Sequence, residues 1–429
     1  MARILISPLG TGIKKENQNV YKKTKYKIED KFYNESFISI ALTKHFDIDK
    51  QFLIGTSSSM WDEAYLQYSY YNKREPDEEF WADLSESIKD RDHKFRLGED
   101  KIKKVRSALG EESEIYIINY GLDQDEIMGN FNILFDISSK LNDGDEIYID
   151  ITHSFRSLSL FVFVITNYIK NVMDRDIKIN GLHYGMFEAP KELGYTPVVN
   201  LNLITQMMEY IKGISEFKNY GNGYILSSLI SDQNVNKKIK TISEVVNLGN
   251  LTMMRKSIND LKGVVPILKN SNFIGDSITA EALEKFVKRF SNAKTDSKFQ
   301  YETAKWFFEN KRYGQSYMVL TEAVVSYICE KEYMRTISKE DRDAAKGILF
   351  DCKSLSEGYG NIGEEEFIRS LKNKDESKRY KKIAKYYFEI NDIRNRIAHA
   401  VDHPNSRTNL KGDIDILQKS IEAFKNLLE

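Results

Sequence analysis

The sequence predicts two architectures in series: an α/β N-terminal domain, Rossmann-like, with a parallel-rich sheet and helices on both faces, followed by an all-α C-terminal part. Three observations carry this. Up to about residue 203, short apolar runs alternate with helical periodicities, the rhythm of a parallel sheet crossed by helices. From Ile204 onward the strand-like runs stop, and Leu, Ile, Phe and Tyr recur at three- and four-residue spacing. A chain of 429 residues also exceeds one ordinary core, so two domains of about 200 residues are the natural division.

The first strand is Arg3-Ile-Leu-Ile-Ser7, and Leu9-Gly10-Thr11-Gly12 turns sharply after it. A dinucleotide fingerprint would need a further glycine where Lys15 stands, and no Gly-Lys-Ser/Thr follows, so the usual NAD and ATP sites are not supported. Asn19 to Tyr33 suits a hairpin at a sheet edge, and Phe37, Ile38, Ala41 and Leu42 fall at helical spacing. A second strand, Gln51 to Gly55, runs into Thr56-Ser57-Ser58-Ser59, whose hydroxyls at a strand end read either as a phosphate cradle or as a plain polar loop. Trp61 to Gly110 reads as mostly charged helix, Glu114 to Gly121 as a third strand, and Asp125 to Leu141 as a helix.

The central element is Glu146-Ile-Tyr-Ile-Asp150, a buried parallel strand by its apolar run, with Asp150 where it stops. Thr152, His153, Ser154, Arg156 and Ser157 crowd into the turn and first helical turn beyond it, where free amides and the positive dipole end suit an anion. An N-cap needs one such residue, and five polar groups favour a ligand site. Ile177 to Gly185 and Thr196 to Leu203 are expected as further strands at the far edge, with His183 as a packed histidine. The loops at Leu9 to Thr11, Thr56 to Ser58 and Thr152 to Ser157 should then converge at the carboxyl ends of the strands.

Net charge is near zero, with 63 Lys plus Arg against 64 Asp plus Glu, so contact with RNA must be local. Two cysteines without metal spacing fit a reducing cytosol, and the most apolar segment, Leu158 to Ile169, is too short to span a membrane, so a cytoplasmic protein without membrane contact is expected. In the helical part, Asn219-Tyr-Gly-Asn-Gly223, Asn247-Leu-Gly-Asn250, Pro266 and Gly275 break the helices. Ser377 to Tyr387 is a basic helix leading into Arg394-Asn395-Arg396-Ile-Ala-His399, with Glu322 set among apolar neighbours elsewhere.

Arg394, Asn395 and His399 suit metal-free RNA cleavage by a ribose 2'-OH: His399 can move a proton, Arg394 can hold phosphate oxygens, and Asn395 can orient. The bland alternative is a helix-end His with a surface Arg, and Arg396 with His403 forms a looser second pair. Positions five apart on a helix are turned by about 140° and separated by about 7.5 Å, so one helix does not present Arg394 and His399 side by side. Two such helices across a two-fold axis would bring four groups into one cleft, which favours a homodimer.

With these residues in view, the chain resembles the CARF-HEPN proteins of type III CRISPR systems. Asp150-Ile-Thr152-His153-Ser154-Phe-Arg156-Ser157 is similar to the Asp-x-Thr-His-Gly/Ser-x-Arg signature of their CARF sensor, with Ser154 where many members carry Gly. Ser7 to Gly12, and Gly55-Thr56-Ser57 with Trp61, are similar to the strand-end loops of that subgroup. Arg394-Asn395 to His399 resembles the HEPN motif Arg-x4-6-His, in which a polar residue after Arg is usual.

The resemblance implies a CARF domain at 1–203, a helical connecting segment at 204–294 without an assigned role, and an all-α HEPN ribonuclease domain at 295–429. It implies a homodimer that binds a cyclic oligoadenylate, the tetramer being the ring expected, as activator rather than cofactor. The activated dimer would cut single-stranded RNA without a metal. The ligand residues expected are Gly10, Thr11, Thr56, Ser57, Ser58, Asp150, Thr152, His153, Ser154, Arg156 and Ser157. Two other classes compete: a Rossmann-like ligand-binding regulator with a helical dimerisation domain and no nuclease activity, and a HEPN toxin without a ligand. The first is weakened by the lack of an evident DNA-reading helix-turn-helix, the second by the polar strand-end loops.

Overall fold

The computed structural model describes residues 1–15, 20–153, 156–358, 363–399 and 409–428. It divides into two compact units, Met1–Thr205 and Gln206–Glu429. The elements of the first are β1 (Arg3–Leu9), β2 (Thr24–Ile28), β3 (Lys31–Glu35), α1 (Ile38–Phe46), β4 (Lys50–Gly55), α2 (Trp61–Tyr71), α3 (Glu78–Ile88), α4 (Glu99–Leu109) and β5 (Glu114–Ile117). They continue with α5 (Gln124–Ser139), β6 (Glu146–Asp150), α6 (Arg156–Asn171), β7 (Lys178–Gly185), the short α7 (Pro190–Leu193) and β8 (Thr196–Asn200). The strands form one eight-stranded sheet in the order β3-β2-β8-β7-β6-β1-β4-β5.

Helices cover both faces of the sheet because successive strand residues point to opposite sides. Ile4 and Ile6 of β1 join Phe52, Ile54, Ile147 and Ile149 under α5 and α6, through Leu134, Ile137, Val162 and Ile165. Leu5 turns the other way, onto Ile38, Ala41 and Leu42 of α1. Leu9 and Leu53 pack on that side against Trp61, Leu84 and Leu109 of α2, α3 and α4. The pair β1–β6 runs parallel, with Ile4 beside Ile147 and Ile6 beside Ile149, so the strand ends that carry the expected site leave the sheet at the same edge.

The sheet is parallel-rich, as expected, and the hairpin expected at its edge is the antiparallel pair β2–β3. Other expectations need correcting: β7 and β8 are antiparallel. The connection 186–195 between β7 and β8 is too short for the crossover a parallel pair requires, so the chain must return antiparallel. Nor do β7 and β8 form the far edge: β2 pairs parallel with β8, and β3 of the hairpin takes the edge. The charged stretch 61–110 is three helices, and β5 stops at Ile117 rather than Gly121. The side chain of Asn130 accepts from Asn119 N at 2.8 Å and donates to its carbonyl at 2.9 Å, replacing a sheet neighbour there.

The second unit is helical throughout its described residues and begins within α8 (Asn202–Tyr220). Along the chain come α9 (Tyr224–Leu229), α10 (Gln233–Leu248), α11 (Leu251–Lys262), α12 (Val264–Lys269), α13 (Ile274–Ser291), α14 (Asp296–Glu309), α15 (Tyr313–Lys331), α16 (Lys339–Glu357), α17 (Glu364–Ser370), α18 (Ser377–His399) and α19 (Leu410–Leu428). One continuous core runs from Tyr210 to Leu427, so the segment 206–294 and the helices from α14 onward share their apolar interior. Helix α18 buries Tyr380, Ile383, Ala384, Tyr387, Ile390 and Ile393, a stripe at helical spacing that fixes which face Arg394 leaves by. No helix among the described residues is long and apolar enough to cross a membrane.

Candidate functional site

At the carboxyl edge of the sheet, three strand ends are stitched to one another. Ser59 Oγ donates to the Leu9 carbonyl at 2.6 Å and receives Thr56 N at 3.0 Å. Met60 N donates to the Gly10 carbonyl at 2.8 Å, and Trp61 Nε1 to the Thr56 carbonyl at 2.8 Å. The loop closes this tightly because residue 55 has no side chain: a Cβ there would lie 2.6 Å from the Trp61 ring.

The third strand end is held through Asp150, which is fully buried. Ser7 Oγ donates to one carboxylate oxygen at 2.6 Å, while Thr152 N, at 2.9 Å, and the Thr152 hydroxyl donate to the other. Thr152 Oγ1 also receives Gly185 N at 2.8 Å, tying the turn to β7. Burial raises the Asp150 carboxyl to about 6, opposed by the hydrogen bonds from Ser7 and Thr152. Asp150 thus fixes the turn that carries His153.

Between these loops lies a cavity of about 180 Å³ lined by Leu9, Gly10, Thr11, Gly55, Thr56, Ser59, Ile118, His153 and Leu158. Four of the expected ligand residues, Gly10, Thr11, Thr56 and His153, meet there. His153 Nε2 is buried without a hydrogen-bond partner, its ring rests on Phe187 at 5.0 Å, and burial lowers its pKa to about 4. The cavity therefore presents a neutral imidazole with one unengaged nitrogen.

The remaining expected residues are placed otherwise. Ser57 is buried outside the cavity lining, and Ser58 faces a neighbouring cavity. Thr152 is half-buried and engaged with Asp150 and Gly185. Ser154 lies outside the described residues; Arg156 and Ser157 open α6, with side chains outside the described set. His183 is packed against Phe46, with burial lowering its pKa to about 4. Sequence reasoning missed Ser59 as a hydrogen-bonding hub and Ile118 as a wall, although Ser59 stood in the serine run and Ile118 in the third strand.

In the second unit, Arg394, Asn395 and His399 share the last turns of α18. Arg394 Nη1 donates to Asn395 Oδ1 at 2.9 Å, its Nε is buried without a partner, and among the described residues no carboxylate pairs with it. Arg396, two residues on, is held by Asp392 at 3.6 Å and Asp413 at 3.2 Å. His399 is exposed, and His403 lies outside the described residues. Glu322 is ion-paired with Arg342, and the charges of Glu322, Arg394 and Arg342 all bear on Tyr387, whose pKa burial raises. The basic face of α18 is partly neutralised: Arg379 pairs with Glu376, and Lys381 with Glu364.

Comparison with known proteins finds likenesses to CRISPR-associated proteins. The family described as the CARF domain of the CRISPR system endoribonuclease Csx1 matches residues 4–188, and that described as the second domain of CRISPR-associated protein MJ1674 matches residues 206–298. CRISPR-associated protein MJ1674 of Methanocaldococcus jannaschii is 32% identical over 453 aligned positions, covering 100% of this chain and 66% of that relative, so the chain spans just under two thirds of its length. The solved structure of Enterococcus italicus Csm6 bound to cyclic hexa-2'-fluoro-hexa-dAMP aligns over 100% of this chain and 94% of that one, at 13% identity and a TM-score of 0.37, a likeness too slight to carry an argument.

Proposed function

The chain belongs to the CARF-containing family of type III CRISPR-associated proteins, and from that premise we propose that it is a cyclic oligoadenylate-activated, metal-independent endoribonuclease that cuts single-stranded RNA as a homodimer. The observation that carries the reading is the meeting of Gly10, Thr11, Thr56 and His153, from three separate strand ends, in one stitched cavity. Its walls mix apolar carbons with hydroxyls and a neutral imidazole, which suits a nucleobase with its phosphate toward the start of α6. A cyclic oligoadenylate with an even number of units, the tetramer by preference, would satisfy two copies of the loops about a two-fold axis.

The nuclease half rests on Arg394, a guanidinium with no carboxylate partner among the described residues, and on the exposed imidazole of His399, five residues further along the same helix. In this reading Arg394 holds the scissile phosphate and stabilises the charge that builds on it. His399 moves the proton as the 2'-OH attacks phosphorus and the 5' oxygen leaves, giving a cyclic phosphate and a 5'-hydroxyl. Asn395 orients Arg394.

Support for a homodimer comes from the first unit, where α5 and α6 expose Met128, Phe135, Leu160 and Val164. Ring contacts of Phe131 with Phe161 at 4.5 Å and of Phe135 with Tyr168 at 4.8 Å join the two helices into one apolar face, which a second copy would cover. The test is labelled single-stranded RNA incubated with the purified chain, with and without cyclic tetra- and hexa-adenylate, and with EDTA. Cleavage that needs a ring and survives chelation is expected. Ring-independent cleavage, loss on chelation, or no cleavage with any ring would overturn the reading.

A further inference from the structure

Touching the strand-edge cavity at Thr11 is a second cavity of about 790 Å³, whose lining includes Lys14, Tyr21, Ser58, Lys89 and Arg91. Its far side is the loop 89–98 that joins α3 to α4 and holds four cations, Lys89, Arg91, Lys94 and Arg96, against Asp90 and Asp92. Glu86 and Asp90 also line this cavity, with Glu86 3.9 Å from Lys89, so its positive surplus is modest.

The loop is held in place by specific bonds. Asp90 takes a left-handed turn at φ 50° that throws the chain off α3, and Asp92 accepts the backbone N–H groups of Lys94 at 3.0 Å and Phe95 at 3.1 Å. Arg91 Nε donates to the Ser87 carbonyl at 2.8 Å while its guanidinium lies 5.2 Å from the Phe95 ring, which fixes the group and leaves its terminal nitrogens for other partners. Arg96 reaches from the loop to Asn119 Oδ1 at 3.1 Å, pinning the loop to the chain just beyond β5 at the same sheet edge.

The inner cavity has room for a base and little more, so the sugars and phosphates of a multi-nucleotide ligand must continue outward. The adjoining space is the one that Lys89 and Arg91 line. We propose that the loop 89–98 is the outer wall of the activator site and that Lys89 and Arg91 hold phosphodiesters of the oligoadenylate that extend beyond the strand-edge cavity. This rests on the reading of the first unit as a cyclic oligoadenylate sensor. Pre-placed cations of this kind set affinity by charge and leave a signature in its salt dependence.

The experiment is calorimetric titration of cyclic tetra- and hexa-adenylate into wild type, Lys89→Ala, Lys89→Ala/Arg91→Ala and Lys170→Ala/Lys178→Ala, each at several salt concentrations. The last variant removes two cations near the opposite sheet edge, where β7 begins. The loop double variant should weaken binding about tenfold or more and reduce the slope of log affinity against log salt by about 1. Lys89→Ala, on a side chain 61% exposed, should fold normally and give part of both effects. Wild-type binding with unchanged affinity and slope in both loop variants overturns the proposal alone, as does an equal loss in the control pair. Absence of ring binding by the wild type overturns the sensor reading, and the proposal with it.

Discussion

The strand-edge turns of the first unit and the last turns of α18 in the second are built on opposite plans. At the strand edge, Asp150 is already bonded to Thr152 and Ser59 to the Thr56 backbone, and His153 Nε2 is buried without a hydrogen-bond partner. On α18, Arg394 has among the described residues a hydrogen bond to its neighbour Asn395 and no carboxylate partner, and His399 stands exposed. In the proposed reading the first plan is that of a receptacle, whose order is complete before any ligand arrives, and the second would keep its donors in reserve for a phosphate and for groups from a second copy. Substitutions at the two places should therefore fail in different observables: half-saturation and stability at one, rate at the other.

The largest effect expected is on rate. Arg394→Ala or His399→Ala should lower single-turnover RNA cleavage at saturating activator by about 10³-fold or more, with activator binding unchanged. Arg396→Ala is the internal standard, since that guanidinium is held by Asp392 and Asp413; less than about a tenfold loss of rate is expected. Equal losses from Arg394 and Arg396 would remove the distinction between the reserved and the engaged arginine. Mixing Arg394→Ala with His399→Ala chains should restore part of the activity if the cleft is shared, and verified subunit exchange without recovery would point to self-contained sites.

The next effect is on stability and belongs to the receptacle. Burial keeps His153 neutral down to about pH 4, whereas in the unfolded chain it protonates near 6.5. The unfolded state binds more protons across that window, so the contribution of His153 to stability falls as pH drops from 6.5 toward 4. Asp150 works the other way: its carboxyl is raised to about 6, so its contribution grows as pH falls from 6 toward 4. Comparing wild type with His153→Gln cancels the Asp150 part. Urea melts should show the variant gaining about 2 to 3 kcal/mol on wild type between pH 7 and pH 4.5. A difference independent of pH would mean that the imidazole is not desolvated.

Legibility in the sequence divides along the same line. The apolar run ending in Asp150, the glycine turn after β1 and the serines after β4 were legible because each is a local pattern, and the sheet brought their ends together. The orientation of β8 was not, since it is set by the length of the 186–195 connection and by the β2–β3 hairpin beyond it. Ser59 looked like one serine among three, and only its bond to the Leu9 carbonyl, fifty residues back, distinguishes it. The loop 89–98 was hidden within a stretch read as mostly charged helix, because its anchor on Asn119 is a tertiary contact. On α18 the residue types were legible, but the isolation of Arg394 beside a paired Arg396 depends on Asp413 of another helix.

The smallest effect separates two threonines of the receptacle. Thr56 binds Ser59 and Trp61 chiefly through its backbone, and its hydroxyl lies a long 3.5 Å from Ser59 Oγ, so Thr56→Ala removes a hydroxyl at the cavity and leaves the two backbone bonds of the stitching intact. One lost hydrogen bond to ligand, at about 1 kcal/mol, should raise the activator concentration for half-maximal cleavage about fivefold, with the rate at saturation unchanged. Thr152 instead holds Asp150 and the Gly185 amide through its side chain. Thr152→Ala should raise that concentration further and also lower the unfolding free energy, by about 1 to 3 kcal/mol, since a buried acceptor and a buried donor lose their partner together. Thr152→Ser keeps the hydroxyl and should recover most of both. If Thr56→Ala destabilised the protein as much as Thr152→Ala, the cavity hydroxyl would be part of the scaffold, and the separation of frame from ligand contact within this site would fail.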